Sequence, residues 1–194
     1  HVGAYVSFNT NPNDVIEVKV SSSFISHEQA WINLKRELPE NKKFDEILAE
    51  GRKSWNDELS KIKVETEDTP YGISNKTKFY SSFYRTILFP RQFHEYNEEG
   101  KQIHYSPYNG KVSDGPLYTD NGFWDTFRAV FPFYTILYPE KLGEIMQGIM
   151  VNPYKESGWL PEWSSPGHRD CMIGSNSASI IACLLYTSPS PRDR

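Results

Sequence analysis

The 194 residues carry 21 basic and 25 acidic side chains, a formal net charge of -4, with 14% aromatics. That balance lacks the basic excess that binding a phosphate backbone demands, which excludes nucleic acid as an expected partner. No apolar run approaches the roughly 20 residues that span a bilayer, so no membrane partner is expected; two cysteines, Cys171 and Cys183, form neither a disulfide framework nor a metal-finger spacing.

The chain opens at His1 directly in strand-like sequence, which is read as following a leader or a further domain. Val2, Ala4, Val6 and Phe8 alternate with Gly3, Tyr5 and Ser7, and after the turn-forming NTNPND, Ile16, Val18 and Val20 alternate with Glu17 and Lys19. The pattern predicts two antiparallel strands. A lone hairpin is barely stable, so they are expected to finish a larger sheet. Ser26 followed by Gln29 has the form of a capping box, and the helix it predicts carries Ala30, Trp31, Leu34 and Leu38 on one side until Pro39 stops it. Phe44, Ile47, Leu48, Trp55, Leu59 and Ile62 then recur at helical spacing over about five turns. Trp31 and Trp55, lying in apolar stripes, are expected in the core and not as sugar platforms.

Glu65 to Ser74 reads as a polar turn, after which Phe79, Tyr80, Phe83, Tyr84, Ile87 and Leu88 predict a helix ended by Pro90. Asn75-Lys76-Thr77 is a glycosylation sequon, with meaning only in a secreted protein. Residues 91–119 lack helical period and read as a long ordered loop or short hairpins of the kind that rim pockets. From an N-cap at Asp120 or Asn121, the residues Trp124, Phe127, Phe131 and Tyr134 form a helical face that Pro132 is expected to bend. Pro139 starts a helix whose Leu142, Ile145, Met146, Ile149 and Met150 make one buried stripe, the methionines serving as core filler. Gly158 to Gly174 is irregular, and Ser175 to Ala182 begins another helix. The final twelve residues, CLLYTSPSPRDR, show no packing logic and read as translated cloning or adapter sequence.

The stretch from Tyr118 to Ala182 holds three of the five tryptophans and the densest mixture of aromatics with acids, a histidine and an arginine. Aromatic faces stack on sugar rings, while carboxylates, guanidinium and imidazole bind hydroxyls, so the composition suits a carbohydrate. A hydrolase and a non-catalytic carbohydrate-binding protein fit this composition equally. A plain helical scaffold would instead pack Trp124, Trp159 and Trp163 away from any cleft.

Six segments in order carry a more specific signal: SFISHEQAWINLKREL, SWNDELSKI, FYSSFYRTILFP, WDTFRAVFP, GWLPEW and CMIGSNSASIIA. Together they resemble glycoside hydrolase family 92, the calcium-dependent exo-acting α-mannosidases, over roughly residues 20 to 182. The resemblance implies a mainly α fold. In it residues 1–24 end an N-terminal β-sandwich, 25–70 form linking helices, 71–182 open an (α/α)6 toroid, and 183–194 stand outside the fold. It implies an α-mannoside glycan as substrate, inversion at the anomeric carbon, and an oxygen-liganded calcium ion that orients substrate hydroxyls. It also implies a location outside the cytoplasm: secreted, periplasmic or at the cell surface.

For the site, the resemblance places Asp125 of the WDT motif, beside Trp124, as a sugar ligand; bracing its own helix is the competing role. Glu162 and Trp163 lie in the GWLPEW loop, where Glu162 is either a site carboxylate or a solvated loop charge. His168, Arg169 and Asp170 occupy the position where many relatives carry a Gly-Asn-Glu or Gly-His-Glu element touching the sugar and its leaving group. Here Gly167-His168-Arg169 stands instead, a departure that bears on which linkage is selected. The family's general base is an aspartate well downstream of CMIG, so the 194 residues alone are expected not to hydrolyse.

Overall fold

A computed structural model of the chain describes residues 3–172 and 174–187. Three helices come first: α1 (His27–Glu37), α2 (Phe44–Leu59) and α3 (Pro70–Thr86). Seven short strands and five helices follow: β1 (Arg91–Gln92), β2 (Glu95–Tyr96), β3 (Gln102–Tyr105), β4 (Val112–Asp114), β5 (Tyr118–Thr119), β6 (Asn121–Gly122), α4 (Phe123–Thr126), α5 (Val130–Leu137), α6 (Pro139–Met146), α7 (Asn152–Ser157), β7 (Trp163–Ser164) and α8 (Asn176–Thr187). The fold is mainly helical, as the periodicities predict.

The first segment departs from expectation. Asn11 to Asp14 do make a turn, closed by the Asp14 N–H on the Asn11 carbonyl at 3.1 Å, but residues 3–23 join no strand ladder. Alternation names a face and not a partner, and Tyr5, Val6, Val18 and Val20 all stand exposed. Helix α1 begins as predicted: the Ser26 side chain accepts from the Gln29 N–H at 3.1 Å. The Gln29 amide does not close the box; it donates to the Tyr96 carbonyl at 2.8 Å and docks α1 against β2. Trp31, expected in the core, is 52% exposed, and the α2 stripe fares no better, with Phe44 at 66% and no fully buried residue. Helix α2 also ends at Leu59, short of Ile62.

Thr69 caps α3 by accepting from the Gly72 N–H at 3.1 Å, with Pro70 in the first turn. The helix therefore starts inside the segment read as a polar turn, because threonine followed by proline is a start signal. It carries the Asn75-Lys76-Thr77 triplet on its own turns. The single bent helix expected around Pro132 is in fact two, α4 and α5, separated by a turn at residues 127–129. Pro132 sits within the first turn of α5, where its missing N–H has no partner to lose. Helix α6 continues through a π-helical turn, Gln147–Val151, into α7. Gly148 lets that turn pack against β5: a Cβ there would lie 2.7 Å from the Tyr118 ring.

The core gathers Tyr118, Phe123, Phe131, Tyr134, Leu142, Ile145, Ile149, Met150 and Ile180 from β5 and α4 to α8. Leu184 completes it, because α8 runs on to Thr187 and buries this leucine, although the sequence from Cys183 shows no packing logic. Residues 188–194, the rest of that tail, lie outside the described residues. Between the helical groups, β2, β3 and β4 form two consecutive short hairpins, one of the forms expected of residues 91–119, joined as a three-stranded antiparallel sheet. Among the described residues no helix is long and apolar enough to cross a membrane.

Buried polar groups fasten this sheet to α6. The Gln102 amide lies 3.0 Å from His94 Nε2 and 3.2 Å from Glu144 Oε1, and the Tyr118 hydroxyl donates to Glu144 at 2.7 Å. His94 Nδ1 lies 3.2 Å from the Leu117 carbonyl and 3.3 Å from the Leu117 N–H, so both ring nitrogens have polar neighbours. Burial, the largest influence, pulls the His94 pKa below the ordinary histidine value.

Two predictions follow from this packing. Phe131→Ala should cost about 3–5 kcal/mol in denaturant unfolding, and Phe44→Ala less than about 1 kcal/mol. The depressed His94 pKa means that only the unfolded chain takes up this proton as pH falls below the ordinary histidine value, so stability should drop there; in His94→Gln that part of the pH slope should vanish.

Candidate functional site

Two segments distant in sequence meet where β6 pairs antiparallel with β7, Asn121 opposite Ser164 and Gly122 opposite Trp163. The Phe123 N–H adds a contact to the Glu162 carbonyl at 3.4 Å. Gly122 has φ of -95°, an ordinary backbone value, so its role is spatial. A Cβ on Gly122 would lie 2.8 Å from Asp125 Oδ2 and 3.0 Å from two atoms of the Trp163 ring. The missing side chain lets a carboxylate and an indole face converge over bare backbone.

Beside this pair opens a cleft of about 400 Å³ walled by Tyr108, Trp159, Glu162, His168 and Asp170, with Ser157, Leu160 and Pro161 completing it. Three of the expected site residues, Glu162, His168 and Asp170, thus face one space. Trp163, which follows Glu162 in the chain, and Asp125 come together at Gly122 and are not among the cleft walls. Trp124 and Arg169 do not line it. The Arg169 Nε donates to the Ser165 carbonyl at 2.6 Å, so its guanidinium is turned back on its own loop. Trp124 is half exposed, with the Arg128 guanidinium 4.7 Å from its ring centre.

The loop carrying His168 is tied down on several sides. Ser165 N–H donates to the Gly167 carbonyl and Arg169 N–H to the Trp163 carbonyl, while Thr119 Oγ1 donates to the Pro166 carbonyl at 2.9 Å. Asp120 is no helix cap. It holds a left-handed φ of 58°, and its carboxylate accepts from Ser165 Oγ at 3.0 Å while pairing with Arg91 at 2.6 Å. A non-glycine residue in that conformation costs about 1 kcal/mol, which these two contacts offset.

Behind the cleft wall His104 and Glu156 form a buried pair. His104 Nδ1 lies 2.8 Å from the Gly115 carbonyl and its Nε2 2.8 Å from Glu156 Oε1. Glu156 Oε2 is buried and has no hydrogen-bond partner among the described residues. Burial, with Glu156 adding to it, pushes the Tyr108 hydroxyl above the ordinary tyrosine range, against the bond to Ser164 Oγ at 3.4 Å. Tyr108 therefore presents a neutral phenol to the cleft.

Tyr108 and Trp159 were not among the expected site residues. Trp159 had a signal: it follows Gly158, whose φ of 82° ends α7, and is 80% exposed, so it opens onto the cleft and meets the condition that excludes a plain scaffold. Tyr108 had none beyond its place beside the Asn109-Gly110 turn. Among the described residues no group of three or more His, Cys, Asp or Glu side chains is gathered as a metal cluster.

The model of the glycosyl hydrolase family 92 catalytic domain matches residues 29–188, most of the chain, and the protein belongs to that family. A family GH92 inverting mannosidase from Bacteroides thetaiotaomicron is similar in structure, with 48% identity and a TM-score of 0.77 over 84% of this chain and 21% of its own. A family GH92 α-mannosidase from the same organism shows 26% identity and a TM-score of 0.68, again over 84% of this chain and 21% of its own. An uncharacterized secreted glycosidase of Arthroderma benhamiae is 24% identical over 95% of this chain and 19% of its own length. The chain thus spans about a fifth of the relatives it matches.

Gly122→Ala should force Asp125 and Trp163 apart at a cost of about 1–3 kcal/mol, seen as a lowered denaturant midpoint together with a changed near-ultraviolet tryptophan signal.

Proposed function

We propose that the chain is part of an inverting α-mannosidase that hydrolyses terminal α-linked mannose from glycans. The observation that carries the reading is the convergence of the Asp125 carboxylate and the Trp163 ring over Gly122, next to a cleft with Trp159, Glu162, His168 and Asp170. Indole faces fit the C–H faces of a pyranose, and carboxylates bind pairs of hydroxyls. In this reading Asp125 fixes the sugar against Trp163, and His168 with Asp170 meets the neighbouring unit. Arg169, held on Ser165, braces the loop.

Inversion needs an acid to protonate the leaving oxygen and a base to activate water, on carboxyls roughly 6.5–9.5 Å apart. The reading assigns the base to an aspartate downstream of residue 194, on the family resemblance. Calcium, proposed on the same resemblance, would orient sugar hydroxyls. The reading also takes residues 71–182 as the opening of an (α/α)6 toroid and 1–24 as the end of a β-sandwich, and places the protein outside the cytoplasm.

The full-length protein is expected to release mannose from an α-mannoside with the β-anomer appearing first by proton NMR. Asp125→Ala should lower kcat/KM about 100-fold, and residues 1–194 alone should release none. Retention of configuration, or cleavage by the 194 residues alone, would overturn the corresponding part.

A further inference from the structure

A second cavity, of about 420 Å³, shares no residue with the cleft and lies between α2, the end of α3, β5 and α6. Its size falls within the roughly 300–1,000 Å³ of small-molecule sites. Trp55, Tyr118 and Tyr138 give it aromatic surface, and Glu58, Lys61 and Lys141 give it polar groups. Trp55 was expected in the core; its ring packs on Tyr84 with centres 4.6 Å apart and remains 38% exposed.

The charges are already matched. Lys61 pairs with Glu58 at 2.7 Å and Lys141 with Glu144 at 3.0 Å, and Lys61 Nζ stands 4.2 Å from the centre of the Tyr138 ring. An ionic ligand would have to displace a partner from one of these pairs. A neutral ligand need not, because each ammonium has donors and each carboxylate lone pairs left over. A purely apolar ligand would strip water from those pairs and return no hydrogen bond. The Tyr138 hydroxyl is buried beneath the cavity surface: burial, then the Glu58 charge, push it up to about 12, so it stays protonated beside Glu58. Aromatic faces with neutralised polar groups at their edge suit a molecule with apolar faces and hydroxyl edges.

We propose that this cavity is a second, non-catalytic binding site for a neutral pyranoside, with Trp55 as the ring platform and Glu58 and Lys61 binding hydroxyls. It does not depend on the hydrolase reading.

The test titrates methyl α-mannopyranoside into full-length protein by ligand-observed NMR. In an Asp125→Ala background, binding should persist and should weaken at least about tenfold on adding Trp55→Ala. Trp55→Phe should retain most binding and shows that loss in Trp55→Ala is not misfolding. Ser54→Cys should react with a small maleimide at position 54, and the sugar should slow that reaction. Residual binding indifferent to Trp55→Ala, no binding at all, or an unreactive Ser54→Cys would overturn the proposal. An Asp125→Ala variant that binds and hydrolyses like the wild type would count against the cleft reading alone.

Discussion

Everything at the candidate site depends on two residues pairing with two others. Asn121–Gly122 and Trp163–Ser164 form the shortest of ladders, yet it joins the WDT motif to the GWLPEW loop and sets Asp125 beside Trp163. Such a ladder has too few hydrogen bonds to persist by itself. It holds because both ends are anchored: Phe123 and Ile180 are buried in the same core, and Thr119, Asp120 and Arg91 grip the loop beyond Ser164. The strain at Asp120 fits this picture, a cost accepted where the chain must turn sharply enough for its carboxylate to reach Ser165.

The three-stranded sheet has a related task. It inserts histidines into an otherwise apolar interior, and each is satisfied by a carbonyl on one nitrogen and a side chain on the other: His94 by Leu117 and Gln102, His104 by Gly115 and Glu156. Satisfied in this way, buried imidazoles fix the register of the loops they touch; with one partner missing they would each cost free energy. Tyr108, at the tip between β3 and β4, gains its place on the cleft from that fixed hairpin.

The helical half and the N-terminal half differ in how much they bury. Helices α5, α6 and α8 enclose a continuous apolar cluster, while α1 and α2 leave Trp31, Phe44 and Trp55 in contact with solvent. Helices α1 and α2 are polar on average with one apolar stripe, whereas α5 and α8 are apolar on average and have more surface to bury. Around Trp55 the incomplete cover leaves an aromatic cavity.

By itself the sequence determined the local structure that rests on short-range rules. The Ser26 cap, the Pro139 start, the Leu142-to-Met150 stripe and the motifs that mark family 92 were all legible, because caps and helical period depend on residues within about four positions of each other. It also pointed to Glu162, His168 and Asp170, which come to share a cleft. The tertiary structure alone decided that residues 3–23 join no strand ladder, that Pro132 follows a break, that Asp120 grips a loop, and that Tyr108 and Trp159 complete the cleft. Two-residue strands have no period to read, and an apolar stripe states which face seeks burial without stating what will cover it.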